Sequence, residues 1–264
     1  MIASISIGLL ENADIYSPEI ILLLITAGFF VGFINTIAGS GTVISYSLFM
    51  MLGLPANIAN GTIRIGVVLQ TLAATLNFKK HNKLDLKKGL KLALPVIAGS
   101  IAGAQIAVHI NENIFEKILA FVLISMLFFI FYKPEHWVKD KLELIERKTT
   151  FLQVLIFFAI GLYGGFIHIG VGIFLLSAIV LNAGYDLVKA NAIKVMIVFL
   201  YSPFALLVFI LSDHVNFEMG LISAIGNIAG GLIGSKLAIK KGAGFIRWIL
   251  VGIIVFFTIY LLLK

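Results

Sequence analysis

Residues 35–42 read NTIAGSGT, and this small polar stretch decides the fold. It lies inside an apolar run from Ile20 to Leu54 that carries no formal charge. Glycine and small polar residues let the backbone leave a helix, but lipid cannot satisfy the peptide groups that such a break exposes. The stretch therefore predicts a helix break at membrane depth, either buried in protein or lining a wet cavity.

The composition predicts an all-α integral membrane protein. The 264 residues are 60% hydrophobic and 12% charged, and the mean hydropathy is +1.08. A soluble domain of this size has too few core positions for so much apolar surface, and several stretches approach the ~20 apolar residues that cross a bilayer. The chain has no cysteine, which excludes disulfides, thiolate metal sites and cysteine nucleophiles. The net charge of +7 comes from short loops and does not indicate nucleic-acid binding.

The apolar segments form two matching sets of five. Glycines in the two sets recur at a constant separation of 131 residues, for example 39 with 170, 53 with 184 and 89 with 220. This regularity indicates duplication. It predicts a first membrane repeat (1–132), a cytoplasmic linker (133–150) and a second membrane repeat (151–264). The segments are 20–38, 42–53, 57–78, 87–109 and 114–132, followed by 151–169, 172–183, 188–211, 217–240 and 244–263.

Loop charges predict that the two repeats have inverted topology. The loop 79–91 has six lysines and one aspartate, whereas its counterpart 211–218 has no lysine or arginine. In the next pair, 109–117 is mildly acidic and 236–247 is basic without an acidic residue. Because basic loops stay in the cytoplasm, corresponding loops should face opposite sides of the membrane. We expect about 8–10 membrane segments, glycine breaks near the midplane, and both termini on the outer face of the cell membrane.

Four features resemble the TauE/SafE sulfite-exporter family. They are GFFVGFINTIAGSG repeated as GLYGGFIHIGVG, LGLPANIANGTIR repeated as LNAGYDLVKANAIK, the two-half layout, and a glycine-rich segment after a basic loop, LPVIAGSIAGAQIA repeated as IGNIAGGLIGSKLA. The resemblance covers nearly all of 20–264. It implies a secondary transporter of small anions such as sulfite or organosulfonates. The second repeat lacks a match for Pro55 and has Ala-Ile where the first has Gly61-Thr62, so the halves need not play equal roles.

Two cations are candidate ligands for an anionic substrate. Arg64 and Lys194 align within one residue, near the starts of corresponding segments. A buried cation needs a partner, and the apolar segments hold no obvious carboxylate. Arg64 would present a bidentate fork and Lys194 a point charge. The alternative is that both side chains snorkel to the membrane surface.

Polar and glycine residues around the breaks complete the predicted substrate site. Backbone N–H groups at a helix start after Gly41 or Gly172 would be donors for an anion. His168 titrates near neutral pH and could couple transport to protons, or it could be a packing residue. Asn60 and Asn191 could cap helices or contact the ligand. The whole set is Asn35, Gly39, Ser40, Gly41, Asn60, Thr62, Arg64, His168, Gly170, Gly172, Asn191 and Lys194.

The expected function is export of a small anion, sulfite or another sulfur oxyanion or an organosulfonate, by alternating access between the repeats. An inside-negative potential favours outward movement of an anion by about 2.3 kcal/mol per charge per 100 mV. A passive anion channel is the alternative, and an intramembrane lipid enzyme is a more remote one. The expected partners are the lipid bilayer and a coupling ion, H⁺ or Na⁺; a homodimer is left open. We expect no metal, no cofactor, no nucleic acid and no enzymatic activity.

Overall fold

The computed structural model describes residues 14–111, 114–115, 117–118 and 150–262, and within these ranges it holds eight helices and no strand. An all-helical fold is therefore confirmed for the described part of the chain. The last helix contains a non-helical residue, Gly242. The helices are α1 (Pro18–Ile37), α2 (Thr42–Met51), α3 (Ala56–Lys80), α4 (Leu86–His109), α5 (Phe151–Phe166), α6 (Val171–Ala183), α7 (Leu187–Leu211) and α8 (Phe217–Leu262).

Four of the described helices are long and apolar enough to cross a membrane. They are α1, α4, α7 and the Phe217–Ile246 part of α8. Shorter apolar helices follow each predicted break, and α2 with its 10 residues is too short to span a bilayer. The predicted segment 114–132 and the linker 133–150 lie almost entirely outside the described residues, so the domain boundaries at 132 and 150 stay predictions.

Small residues bring helices of the two sequence halves into backbone contact. A Cβ on Gly32 of α1 would lie 2.2 Å from the carbonyl oxygen of Asn227 in α8. A Cβ on Gly165 of α5 would lie 2.0 Å from the carbonyl oxygen of Ser100 in α4. Each contact joins the first helix of one half to a glycine-rich helix of the other. Spaced glycines thus allow close helix packing between the two halves.

Helices α3 and α7 run antiparallel through the middle of the fold. The start of α3 meets the end of α7, because a Cβ on Gly61 would lie 2.0 Å from the carbonyl oxygen of His214. The end of α3 meets the start of α7, where the Tyr185 hydroxyl donates to Asp85 Oδ2 at 2.6 Å. The turns after these two helices therefore lie at opposite ends of the molecule.

Left-handed backbone conformations recur with the spacing of the sequence repeat. Gly39 and Gly170 have φ of 86° and 71°, and Gly53 and Gly184 have φ of 88° and 79°. Asn82 and Asp213, the two non-glycine residues with positive φ in the described ranges, have φ of 53° and 56°. Each pair is separated by 131 residues (170 − 39, 184 − 53 and 213 − 82). The spacing inferred from glycine letters thus reappears in the backbone geometry of three corresponding turns.

Candidate functional site

Both predicted helix breaks are present. Helix α1 ends at Ile37 and α2 begins at Thr42. Helix α5 ends at Phe166 and α6 begins at Val171, with Gly170 as its N-cap. The second helix start therefore lies two residues earlier than the predicted start after Gly172. The reason is that the left-handed φ of Gly170, not Gly172, makes the turn.

The two breaks touch each other. A Cβ built on Gly172 would lie 2.4 Å from Cα of Gly39, and a Cβ on Gly39 would lie 2.4 Å from Cα of Gly172. No side chain larger than hydrogen fits between two backbones at that separation. Residues that are 133 positions apart in sequence therefore meet where the helices of both halves are interrupted.

Lys194 of α7 reaches across to the first break. Its Nζ donates to the carbonyl oxygens of Thr36 at 3.0 Å and Asn35 at 3.3 Å. These carbonyls belong to the last turn of α1, where the helix leaves acceptors without intrahelical partners and carries a partial negative charge. The Lys194 ammonium, which belongs to the second half, therefore satisfies carbonyl groups at the end of a broken helix of the first half.

Arg64 of α3 makes the reciprocal contact at the second break. Its Nη1 donates to the Gly164 carbonyl at 3.1 Å and its Nη2 to the Gly165 carbonyl at 2.7 Å, both at the end of α5. The guanidinium also lies 4.6 Å from the centroid of the Phe209 ring. Arg64 is 0% exposed. Lys194 is equally enclosed at 1%, so neither cation snorkels to the surface.

A small cavity lies beside the contact between the breaks. It has room for about one water molecule. Lys194 contributes to its wall, as does the first turn of α6, whose N-terminal N–H groups lack intrahelical acceptors. Arg64 does not line it. The lining residues are Asn35, Gly39, Thr71, His168, Val171, Gly172, Lys194, Val195 and Val198.

His168 faces this cavity from the second break. It is 1% exposed, and its Nδ1 lies 3.0 Å from the hydroxyl oxygen of Tyr201 on α7. Tyr201 is itself fully buried. Among the described residues, the imidazole thus has Tyr201 as its hydrogen-bond partner, and His168 lines the same cavity as Lys194.

The remaining predicted residues surround the breaks without lining the cavity. The Ser40 hydroxyl and both amide atoms of Asn191 are buried and have no hydrogen-bond partner among the described residues. Asn60 donates to the Phe166 carbonyl at 2.8 Å. Thr62 donates to the Ile58 carbonyl and accepts from the backbone N–H of Asn216 at 2.9 Å.

The prediction that Asn60 and Asn191 cap helices is wrong. Both lie inside helices, because α3 begins after Pro55 and α7 after Asp186. The Asp186 carboxylate accepts from the backbone N–H groups of Val188 and Lys189, which is the usual arrangement of a helix N-cap. Asn60 instead accepts from Arg64 Nη2 at 3.4 Å and helps to fix the guanidinium.

The sequence reasoning missed Thr71 and Tyr201. Tyr201 had a usable signal, since it follows Lys194 by seven residues, which is two helical turns and places both on one face of α7. Thr71 has the same relation to Arg64, but a threonine among alanines and leucines is common in apolar helices. In the described ranges no group of three or more His, Asp or Glu residues could hold a metal ion.

Comparison with known families agrees with this architecture. The family model described as sulfite exporter TauE/SafE matches residues 24–261. The chain belongs to the TauE/SafE family. The resemblance inferred from the glycine motifs is thereby confirmed, and with it a multi-pass membrane protein of a transporter family.

Curated relatives within the TauE/SafE family are similar over most of their length. A probable membrane transporter protein, ORF9, of Sinorhizobium sp is 30% identical over 245 residues, which cover 92% of this chain and 93% of that protein. One from Haemophilus influenzae is 27% identical and covers 87% and 89% of the two chains. YfcA of Escherichia coli K12, another probable membrane transporter, is 26% identical and covers 88% and 85%. No solved structure matches the chain.

Proposed function

We propose that the protein is a secondary transporter that exports a small anion, sulfite or a related sulfur oxyanion or organosulfonate, across the cell membrane. The observation that carries the proposal is the position of Lys194, a residue that lines the cavity where the two helix breaks meet and whose ammonium is bonded to the end of α1. A cation, a helix N-terminus and a buried imidazole converge there. These groups suit an anion and offer little to a cation.

The unbalanced charge of the site supports an anionic substrate. Arg64 and Lys194 are fully buried, and no Asp or Glu is buried among the described residues. Their hydrogen-bond acceptors are helix-terminal carbonyls and the Asn60 amide oxygen, which carry only partial charges. Two buried positive charges without a carboxylate are costly in a low-dielectric interior. An anion in the cavity would offset that cost.

The two cations differ in role in this proposal. Lys194 contacts the substrate, because this residue lines the cavity and its Nζ is bonded to the α1 carbonyls beside it. Arg64 positions the second break, because its guanidinium is committed to Gly164, Gly165 and the Phe209 ring. An arriving anion would compete with the Thr36 carbonyl for the ammonium. Substrate binding and release of the α1 end are thereby linked.

Inverted repeats and alternating access are part of the proposal. Three observations support both ideas. Helices α3 and α7 run antiparallel, and turns 131 residues apart share left-handed backbone conformations. Each buried cation is also hydrogen-bonded to the end of the broken helix in the other half. Rocking one half against the other would break contacts at one end and form them at the other. The basic loops fix the cytoplasmic side, and both termini lie outside.

The substrate class comes from the family description, because the relatives are named only as probable membrane transporters. A carrier is favoured over a passive channel by the size of the cavity. It accommodates about one water molecule. The backbone contact of Gly39 with Gly172 adjoins the cavity, so a polyatomic anion needs movement of the breaks to enter or leave.

The test is uptake of labelled sulfite, thiosulfate, taurine and sulfoacetate by proteoliposomes under imposed voltage and pH gradients. We expect saturable flux of at least one sulfur anion. Lys194→Ala should raise KM about 10-fold or more, the loss of one charge-assisted hydrogen bond. Arg64→Ala should reduce the maximal rate and the thermal stability instead.

Lys236→Ala is the matched control, since Lys236 is an exposed lysine of α8 away from the cavity. Its KM should equal that of the wild type. Non-saturating, purely voltage-driven flux would favour the channel. Saturable flux with an unchanged KM in Lys194→Ala would remove the ammonium from the substrate site.

A further inference from the structure

We propose that His168 binds the coupling proton, so that the transporter carries one H⁺ together with each anion. This inference rests on the proposed function and names its coupling ion. It follows from the hydrogen-bond partner of the imidazole and the charges that face it.

The partner of His168 permits both protonation states. The Tyr201 hydroxyl lies 3.0 Å from Nδ1 and can rotate either to donate a hydrogen bond or to accept one. A carboxylate partner would hold the ring as imidazolium, and a backbone carbonyl would fix one tautomer. A hydroxyl does neither, so the imidazole gains or loses a proton without losing this hydrogen bond.

The charged groups around His168 disfavour a proton in the absence of substrate. Arg64 from α3 is hydrogen-bonded to the Gly165 carbonyl, three residues before His168, and Lys194 from α7 lines the same cavity as the imidazole. The other titratable groups facing the site are phenols: Tyr201 from α7, and Tyr163 from α5, whose hydroxyl donates to the Ile169 carbonyl at 2.5 Å. Protonation of His168 would add a third positive charge to this enclosed space, and the charges of Arg64 and Lys194 oppose it.

An anion in the cavity makes protonation of His168 favourable instead. It places negative charge against both Lys194 and the imidazole, and so favours the imidazolium form. By thermodynamic reciprocity, the proton tightens anion binding by the same factor as the anion tightens proton binding. Neither ligand then occupies the buried site efficiently alone, which is the condition for coupled transport.

Coupling of this kind sets the number of protons carried with each anion, and it does not set the direction of transport. A doubly charged anion with one proton keeps one net negative charge. An inside-negative membrane potential therefore still favours its outward movement. A singly charged anion would move as a neutral pair and respond only to the concentration and pH gradients.

The decisive experiment is thiosulfate binding to the purified full-length protein as a function of pH. Thiosulfate stays doubly charged at all the pH values of this titration. Any proton taken up when it binds must therefore bind to the protein. For the wild type we expect the Kd to fall by about tenfold for each pH unit of acidification in the coupled range, which corresponds to one proton. Calorimetry in buffers of different ionisation enthalpy should count the same proton.

His168→Asn introduces the residue that occupies the matching position, Asn35, in the other repeat. Its Kd should be independent of pH, and His168→Gln provides a second variant should the first be unstable. His81→Gln is the control, because His81 lies in an exposed turn after α3. In proteoliposomes clamped at zero voltage, the wild type should take up about one proton per thiosulfate and His168→Asn none.

A pH-independent Kd in the wild type, or an unchanged pH slope in both His168 variants, would overturn the proton site. Either result would leave anion transport intact. Failure of the wild type to bind or carry any anion would instead overturn the proposed function, so the two failures are distinguishable.

Discussion

At the scale of single residues, Gly39 and Gly172 determine how closely the two halves approach. Their backbones are so near that a Cβ on either would lie 2.4 Å from Cα of the other. Gly39 also has a φ of 86°, a conformation that L-residues with a Cβ adopt only with strain. These two positions therefore have a steric requirement that is independent of any contact with a substrate.

Gly172→Ala should damage both folding and transport. The added methyl group meets backbone atoms, which cannot rotate away, so we expect about 1–3 kcal/mol of destabilisation from overpacking. Thermal unfolding in detergent and sulfur-anion flux in proteoliposomes measure the two effects. Gly244→Ala is the control, because a Cβ at Gly244 would meet no atom of the described residues within 4 Å outside its own stretch of helix. That variant should be as stable as the wild type or more stable by about 1 kcal/mol or less. Equal stability and activity of both variants would contradict the contact between the breaks.

At the scale of helices, the ends of the broken elements are held by side chains from the opposite half. A helix that stops within a bilayer leaves carbonyl groups that lipid cannot satisfy. Arg64 supplies donors to the end of α5, and Lys194 supplies donors to the end of α1. The same two cations therefore stabilise both breaks, and one of them, Lys194, also lines the cavity.

A second link between the halves is the hydrogen bond from the Tyr185 hydroxyl to Asp85, just after α3. Asp85 is the N-cap of α4, and its carboxylate accepts from the backbone N–H of Lys88 at 3.0 Å. Partial burial raises the pKa of this carboxyl group. The hydrogen bonds from Lys88 and from the Tyr185 hydroxyl outweigh that effect, so its pKa lies below the ordinary value.

Asp85→Asn should destabilise the protein at neutral pH and have little effect in acid. A depressed pKa in the folded state means that the carboxylate stabilises the fold above the unfolded value, about 3.9. This contribution is lost as the pH falls through the lower, folded value. The difference in unfolding temperature between wild type and variant should therefore shrink below about pH 4. Tyr185→Phe, which removes one of the donors, should show a smaller difference with the same pH trend. A difference that stays constant down to pH 2 would contradict the assignment.

The sequence predicted the helices better than it predicted their contacts. Predicted segments 87–109 and 188–211 agree with Leu86–His109 and Leu187–Leu211 within one residue, because charged or turn residues bound the apolar runs. Predicted segment 172–183 also agrees with Val171–Ala183 within one residue, but Gly170 rather than Gly172 makes the turn, because the sequence alone does not distinguish two glycines two positions apart. The carbonyl partners of the cations could not be predicted at all, because every residue has a backbone carbonyl and only the tertiary fold selects among them.

At the scale of the whole molecule, the paired turns and the antiparallel course of α3 and α7 predict on which side of the membrane each turn lies. The turn after α3 contains Asn82 and the turn after α7 contains Asp213, two exposed residues 131 positions apart with nearly equal left-handed φ. If the halves are inverted repeats, these corresponding turns lie on opposite sides of the membrane. The basic residues near Asn82 predict that its turn lies in the cytoplasm.

Single cysteines at these two turns test the topology directly, since the natural chain has no cysteine to interfere. A membrane-impermeant maleimide applied to intact cells should label Asp213→Cys. It should label Asn82→Cys only after the cells are permeabilised. The two substitutions carry the same backbone strain, so a difference in labelling reports sidedness rather than local stability. Labelling of both turns from one side would require parallel repeats. That result would contradict the antiparallel course of α3 and α7 as well as the alternating-access scheme.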